Sequence, residues 1–365
     1  MFRRAFLRRL LASAALPFVS MFGFARGVKA QAAAPLTRIG FASCAHQMKV
    51  QPIWDAIFRY RPELFLMLGD NVYGDDDLTG ELDTLKSAYD FAKSMPQFQR
   101  LRAEFPHLAI WDDHDYGQND GGAGYRLKAE SKQLFLDFWD VPAADPRRQR
   151  DGLYHAVSYG PAGRRVQVIL LDTRYFRSPL RRATQRVAGG GRYEPDDDPT
   201  KTMLGEAQWA WLEAQLRQPA DLRVIGSSVQ VVAEGHGWER WGNLPRERQR
   251  LYDLIARTKA NGVVFISGDR HIGGLYAETA DTPYRLIDAT SSGINQFWAG
   301  NDEPGPNRLG KTYGGPNFGM LDIDWAERSI TFAIADAAGQ PQRTVTLKLD
   351  ELQARTQRGA LVTFR

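Results

Sequence analysis

Apolar residues along this chain fall into two spacings. Strand-length runs stand at 36–43 ("LTRIGFAS"), 64–68 ("LFLML"), 107–111 ("HLAIW"), 152–160 ("GLYHAVSYG"), 164–174 ("RRVQVILLDTR"), 222–228 ("LRVIGSS") and 263–268 ("VVFISG"). Between them, stretches at 50–61, about 80–103, 127–139, 204–218 and 245–262 carry apolar residues on one helical face. The last of these has Pro245 near its start and Gly262 at its end, the usual asymmetry of helix termini. Strand and helix alternate from 36 to 268, which predicts a layered α/β domain with much parallel pairing. From 318 to 352 the pattern changes to apolar–polar alternation broken by turn residues, which predicts antiparallel hairpins. Two Gly-, Pro- and charge-rich stretches, 178–202 and 301–317, read as surface loops rather than linkers.

Three of the strand-length runs end abruptly on acid and histidine. "LFLMLG" runs into Asp70, with Asn71 and Tyr73 beyond it. "HLAIW" runs into Asp112, Asp113, His114 and Asp115, and "VVFISG" into Asp269 and His271. The first strand likewise delivers Cys44. In open α/β sheets ligands gather beyond the carboxyl ends of the strands. If these ends converge, the crowded carboxylates repel one another unless cations neutralise them. Asp70, Asp113 and Asp269 are hard oxygen ligands suited to Ca²⁺, Mg²⁺ or Fe³⁺. A thiolate or phenolate partner favours a strongly polarising ion such as Fe³⁺.

The 365-residue chain has a formal net charge of +4, but the excess sits at one end. Residues 1–32 hold six of the 47 basic residues and no acid, so residues 33–365 carry 41 basic against 43 acidic residues, a net of −2. Charge therefore gives no support for nucleic-acid binding. That first segment joins "MFRRAFLRRL" to a short apolar run and to "KAQAAA", where Ala30 and Ala32 suit an A-x-A cleavage site. The apolar run is too short for a good membrane span, so no stable membrane anchor is expected. "RRAFLR" is similar to a twin-arginine export signal, which makes the twin-arginine translocase a partner during export and the destination periplasmic or extracellular. The expected organisation is a cleaved leader, 1–32, and a single domain, 33–365. The one cysteine, Cys44, excludes an intramolecular disulfide.

These residues together carry a resemblance. "GD", "DDHD" and "GDRH" at three strand ends are similar to the calcineurin-like metallophosphoesterase pattern. "FASC" (41–44), Asp113 and Asp269 depart from that pattern in the manner of the alkaline phosphatase D family. "LDTRYFR" (171–177), "MLGEAQWAWL" (203–212) and "DATSSGIN" (288–295) are similar to the same family. The resemblance covers about 36–335 and implies an α-β-β-α sandwich, followed here by the C-terminal antiparallel hairpin region. It implies a ferric ion held by Cys44, Asp70, Tyr73 and His271, with Asp70 bridging to one or two Ca²⁺ ions held by Asp113, Asp269 and Asn119; other divalent metals are possible. His114 would act as general acid or phosphate-stabilising donor, with Asp115 as its orienting carboxylate.

Two residues have open roles. Arg174 could meet a phosphate or make an ion pair with Asp172 or another acid, and His236 could line the substrate pocket or simply sit in a loop. The expected activity is hydrolysis of phosphate mono- and diesters by water activated between cations, which fits the absence of a G-x-S-x-G nucleophile elbow. A phospholipase D-like or polymer-directed phosphodiesterase would use the same residues. A non-enzymatic Ca²⁺-binding protein would place its ligands in one contiguous loop, unlike these.

Overall fold

The structure is a computed structural model that describes residues 34–75, 81–187, 189–300, 302–303 and 305–354. The expected leader and its arginine pair lie outside the described residues. Strand β1 (Arg38–Ala42) pairs in parallel with β2 (Leu64–Leu68), and β2 in parallel with β3 (His107–Ile110). The C-terminal strands β10 (Asn317–Asp324), β11 (Ser329–Asp336) and β12 (Pro341–Lys348) add antiparallel to the free edge of β1. The expected hairpin region therefore completes the first sheet, in the order β12-β11-β10-β1-β2-β3.

A second six-stranded sheet has the order β4-β5-β6-β7-β9-β8. Its strands are β4 (His155–Tyr159), β5 (Val166–Leu170), β6 (Leu222–Ser227), β7 (Val263–Ser267), β8 (Gly273–Glu278) and β9 (Leu286–Ser291). Strands β5, β6, β7 and β9 run parallel, while β4 and β8 close the edges antiparallel. The inner faces of the two sheets meet closely: a Cβ on Gly226 of β6 would lie 3.0 Å from Leu68 of β2. All five residues of β2, β5 and β7 are buried. That is the unbroken apolar run expected of strands covered on both faces.

Helices cover the outer faces. Helix α1 (Trp54–Tyr60) lays Trp54 against Phe65, with ring centroids 6.1 Å apart. The expected helix over 80–103 is two helices, α2 (Asp83–Ser94) and α3 (Pro96–Glu104). Pro96 forbids the helical conformation to the residue before it, so Met95 is extended with ψ 129° and the chain turns there. Helix α4 (Asp113–Tyr116) is a single turn in the loop after β3, and α5 (Lys128–Phe138) and α6 (Gly205–Leu216) match their periodic stretches. Helix α7 (Pro245–Thr258) starts on its proline but stops at Lys259 in the left-handed region, before Gly262. Strands β8 and β9 go unread in the sequence, because "GGLYAE" and "LIDATS" interleave glycine and polar residues with few apolar ones.

Candidate metal centre

The site is built at the carboxyl ends of β1, β2, β3 and β7, where four side chains hang from residues with positive φ. Cys44, Asp70, Asp269 and His271 have φ of 64°, 47°, 67° and 55°. This region disfavours any residue with a Cβ, and such strain collects at functional sites. Backbone bonds hold the turns in place. Cys44 N–H donates to Gly69 O at 3.3 Å and Ala45 N–H to Asp70 O at 2.8 Å, extending the β1–β2 pairing past the strands. The buried Asp115 carboxylate accepts from Asp70 N–H at 3.2 Å, Asn71 N–H at 3.1 Å and Asp112 N–H at 2.6 Å. Ser292, just after β9, accepts from His271 N–H at 2.7 Å and touches Cys44 Sγ at 3.0 Å.

The donors converge in overlapping groups. Cys44, Asp70 and His271 bring ligand atoms within 4.8 Å of one another, as do Asp70, Asp113 and His114, and also Asp112, Asp113 and Asp269. The Tyr73 hydroxyl joins the first group, 3.0 Å from Asp70 Oδ2 and 3.1 Å from His271 Nε2. A further group joins Asp113 to Asp120 and Glu239.

Burial and mutual repulsion dominate the electrostatics of the cluster. Burial, and then the neighbouring Asp113, Asp112 and Asp115 charges against the pull of His114, push the Asp70 carboxyl well up. Burial and Asp112 do the same to Asp269. Burial and Asp70 raise both the Cys44 thiol and the Tyr73 phenol. Burial, helped by the Arg270 and His114 charges, holds His271 down to about 4, so its imidazole is neutral and offers a lone pair. A thiol, a phenol, a neutral imidazole and clustered carboxylates within bonding reach fit a cation centre: a bound cation lowers each raised pKa and cancels the repulsion. The mixed soft and hard donors of the first group differ from the all-oxygen Asp112–Asp113–Asp269 group.

His114 is set apart. Burial opposes its charge, but Asp113, Asp70 and Asp75 outweigh that and raise it to about 11. Its ring packs on Tyr73 at 4.2 Å, and Nδ1 pairs with Asp75 Oδ2 at 2.5 Å. The carboxylate paired with this imidazole is thus Asp75 rather than the expected Asp115. One helical turn points residue 115 inward, where its oxygens serve the backbone N–H groups behind the site.

Three other residues singled out from the sequence are placed as follows. Asn119 is exposed, while its neighbour Asp120 lies in the cluster. Arg174 is fully buried and takes the ion-pair role, with Asp112 at 2.6 Å and Glu239 at 2.6 Å. It is the protein's own cation for the inner carboxylates and has no open face for a phosphate. His236 is buried and has both nitrogens engaged, Nε2 with Gln230 Oε1 at 3.0 Å and Nδ1 with Trp238 N–H at 3.2 Å. Instead Glu239, three residues on, reaches the centre. Asp75, Asp112, Asp120, Glu239 and Ser292 were not singled out from sequence as site residues. Asp112 stands in the acidic run after "HLAIW" and Ser292 inside "DATSSGIN"; nothing in the spacing marks Asp75, Asp120 or Glu239.

Comparisons with known proteins bear on the family and the fold. Residues 39–298 match the sequence model of the family described as PhoD-like phosphatase. Alkaline phosphatase D of Bacillus subtilis is 23% identical over 310 residues, covering 73% of this chain and 52% of its own length. The chain thus spans about half the length of that curated relative. A solved structure of PhoD superposes with a TM-score of 0.70 at 16% identity, covering 91% of this chain and 73% of the other. GAP50, described as the anchor in the inner membrane complex of Plasmodium, gives a TM-score of 0.51 at 10% identity, covering 89% of this chain and 90% of its own. Both likenesses speak for the two-sheet fold alone.

Proposed function

The chain belongs to the PhoD-like phosphatase family, and on that premise we propose that it is a metal-dependent hydrolase of phosphate mono- and diesters. The observation that carries this reading is that Asp70 stands in two donor groups at once, beside Cys44 and His271 on one side and beside Asp113 and His114 on the other. A carboxylate so shared suits a bridging ligand. Cys44, Asp70, Tyr73 and His271 would hold a ferric ion, and Asp113 and Asp269, with Asp70, would hold Ca²⁺. A cation pair bound there supplies an activated water and a clamp on the phosphoryl oxygens for in-line attack.

The chain's own groups do the rest. Asp75 fixes Nδ1 of His114, so Nε2 is the nitrogen that hands a proton to the leaving alcohol. Arg174 and Asp115 act through others, neutralising the inner carboxylates and shaping the Asp70 turn. The arginine-pair leader supports twin-arginine export to the periplasm or the medium. No described helix is long and apolar enough to cross a membrane.

The test is removal and return of metal. Treatment with calcium and iron chelators should abolish hydrolysis of bis-p-nitrophenyl phosphate and p-nitrophenyl phosphate, and Fe³⁺ with Ca²⁺ should restore it. Unchanged rates in protein stripped of metal would contradict the reading.

A further inference from the structure

The large hydrophobic side chains that stand exposed among the described residues are Met48, Val50, Phe91, Phe297 and Trp298. All five belong to segments that meet around the mouth of the metal centre. Met48 and Phe91 line a cavity of about 490 Å³ that also includes Tyr73, one of the candidate ligands. Met48 and Val50 lie on the loop after His46, whose ring stacks on Tyr73 at 4.9 Å. That loop is tied to the segment bearing Phe297 and Trp298. His46 N–H donates to Asn295 Oδ1 at 2.8 Å, Asn295 Nδ2 to His46 O at 2.8 Å, and Lys49 Nζ to Gln296 Oε1 at 2.5 Å. Trp298 in turn meets the His271 ring edge-on at 5.8 Å and donates its backbone N–H to His271 O at 2.9 Å. Tyr73 and His271 themselves touch at 3.1 Å, so apolar surface flanks the same pair of donors on two sides.

Exposed apolar residues gathered at one place mark a binding surface, whereas scattered ones mark nothing. The cavity volume falls within the ~300–1,000 Å³ typical of small-molecule sites. Its charge narrows the occupant. Among the described residues the lining holds no lysine or arginine and one carboxylate, Asp83, beside Thr84 and Ser87. A second phosphate or another anion there would meet repulsion with no compensating cation. An uncharged arm would bury itself between Met48 and Phe91.

We propose that the cavity beside Tyr73 receives the alcohol arm of the substrate, which makes the substrates phosphoesters of alcohols carrying an extended alkyl or aromatic group. The inference rests on phosphoester hydrolysis at the metal centre only for the position of the phosphate.

Binding of n-alkylphosphonates from methyl to octyl tests it, because they keep the phosphoryl group, lack a cleavable ester and need no turnover. Calorimetric titration of the metal-loaded protein should show affinity rising about twofold per methylene, half the effect of full burial because the walls are partly open. Met48→Ser and Phe91→Ser should flatten that rise. Met48 sits on a loop and is 68% exposed, so its replacement leaves the core untouched. Affinity independent of chain length, or a slope unchanged in both variants, overturns the apolar subsite while phosphoester hydrolysis stands. Failure of even methylphosphonate to compete with p-nitrophenyl phosphate would contradict the phosphoester reading itself. Flat phosphonate affinity, combined with sedimentation on phosphatidylcholine vesicles that both variants lose, would assign the patch to a membrane surface and also overturn the subsite.

Discussion

Asp75 and Asp115 hold opposite sides of one helical turn, and their loss should have opposite signatures. Asp115 accepts three backbone N–H groups in a fully buried place. Asp115→Asn turns a donor toward one of them and leaves a buried N–H unpaired, a cost of about 1–3 kcal/mol in urea unfolding. Asp75→Asn weakens only the hold on His114, so kcat should fall while stability and KM change little. Equal stability losses in the two variants would contradict this division. His114→Ala should lose more rate on alkyl phosphoesters than on p-nitrophenyl esters, because a good leaving group departs without a proton. Equal losses on both, or loss of the metal itself, would remove His114 as proton donor. At this scale the sequence showed which residue types gather but not which way they face. Asp70, Asp113, Asp269, His271, Cys44 and Tyr73 were legible because each follows a strand. The partner of His114, and the reach of Glu239, depend on how loops fold back across the site, and no spacing encodes that.

Strands β1, β2, β3 and β7 and helices α1, α5 and α6 were legible because apolar runs bounded by turn residues leave little choice. The break at Met95 was missed because helical periodicity runs through it, although Pro96 carried the signal. The loops after the strands then act as elements in their own right. Gly69 has φ 104°, and a Cβ there would collide with Asp112. Gly69→Ala should therefore spread the β2 and β3 ends and lower metal occupancy measured by elemental analysis, with the fold kept. Arg174 ties the turn after β3 to the segment bearing Glu239, and Arg177 adds a second bond to Glu239 at 2.8 Å. Arg174→Met leaves the buried Asp112 without its guanidinium and Glu239 with Arg177 alone, and should cost about 3–5 kcal/mol in denaturant unfolding. A variant of normal stability with only a raised KM would return Arg174 to a phosphate-binding role.

Across the whole molecule, two sheets bring the carboxyl ends of β1, β2, β3 and β7 to a common edge, and this puts residues as distant in sequence as Cys44 and His271 into one donor set. Under the proposed function, a fold that closes around iron before export would suit the proposed twin-arginine leader. Replacing Arg3 and Arg4 by Lys should leave the precursor inside the cell; normal export of that variant would refute the twin-arginine route. The proposed function requires that the strand ends hold cations, one of them ferric. Fe³⁺ bound by thiolate or phenolate absorbs visible light by charge transfer, so one measurement addresses it directly: the metal content and visible spectrum of the purified protein beside those of Asp70→Asn and Tyr73→Phe. Expected are a coloured, iron- and calcium-containing wild type, a shifted or bleached band in Tyr73→Phe, and loss of metal with activity in Asp70→Asn. A colourless, iron-free wild type that hydrolyses phosphoesters at full rate would contradict it.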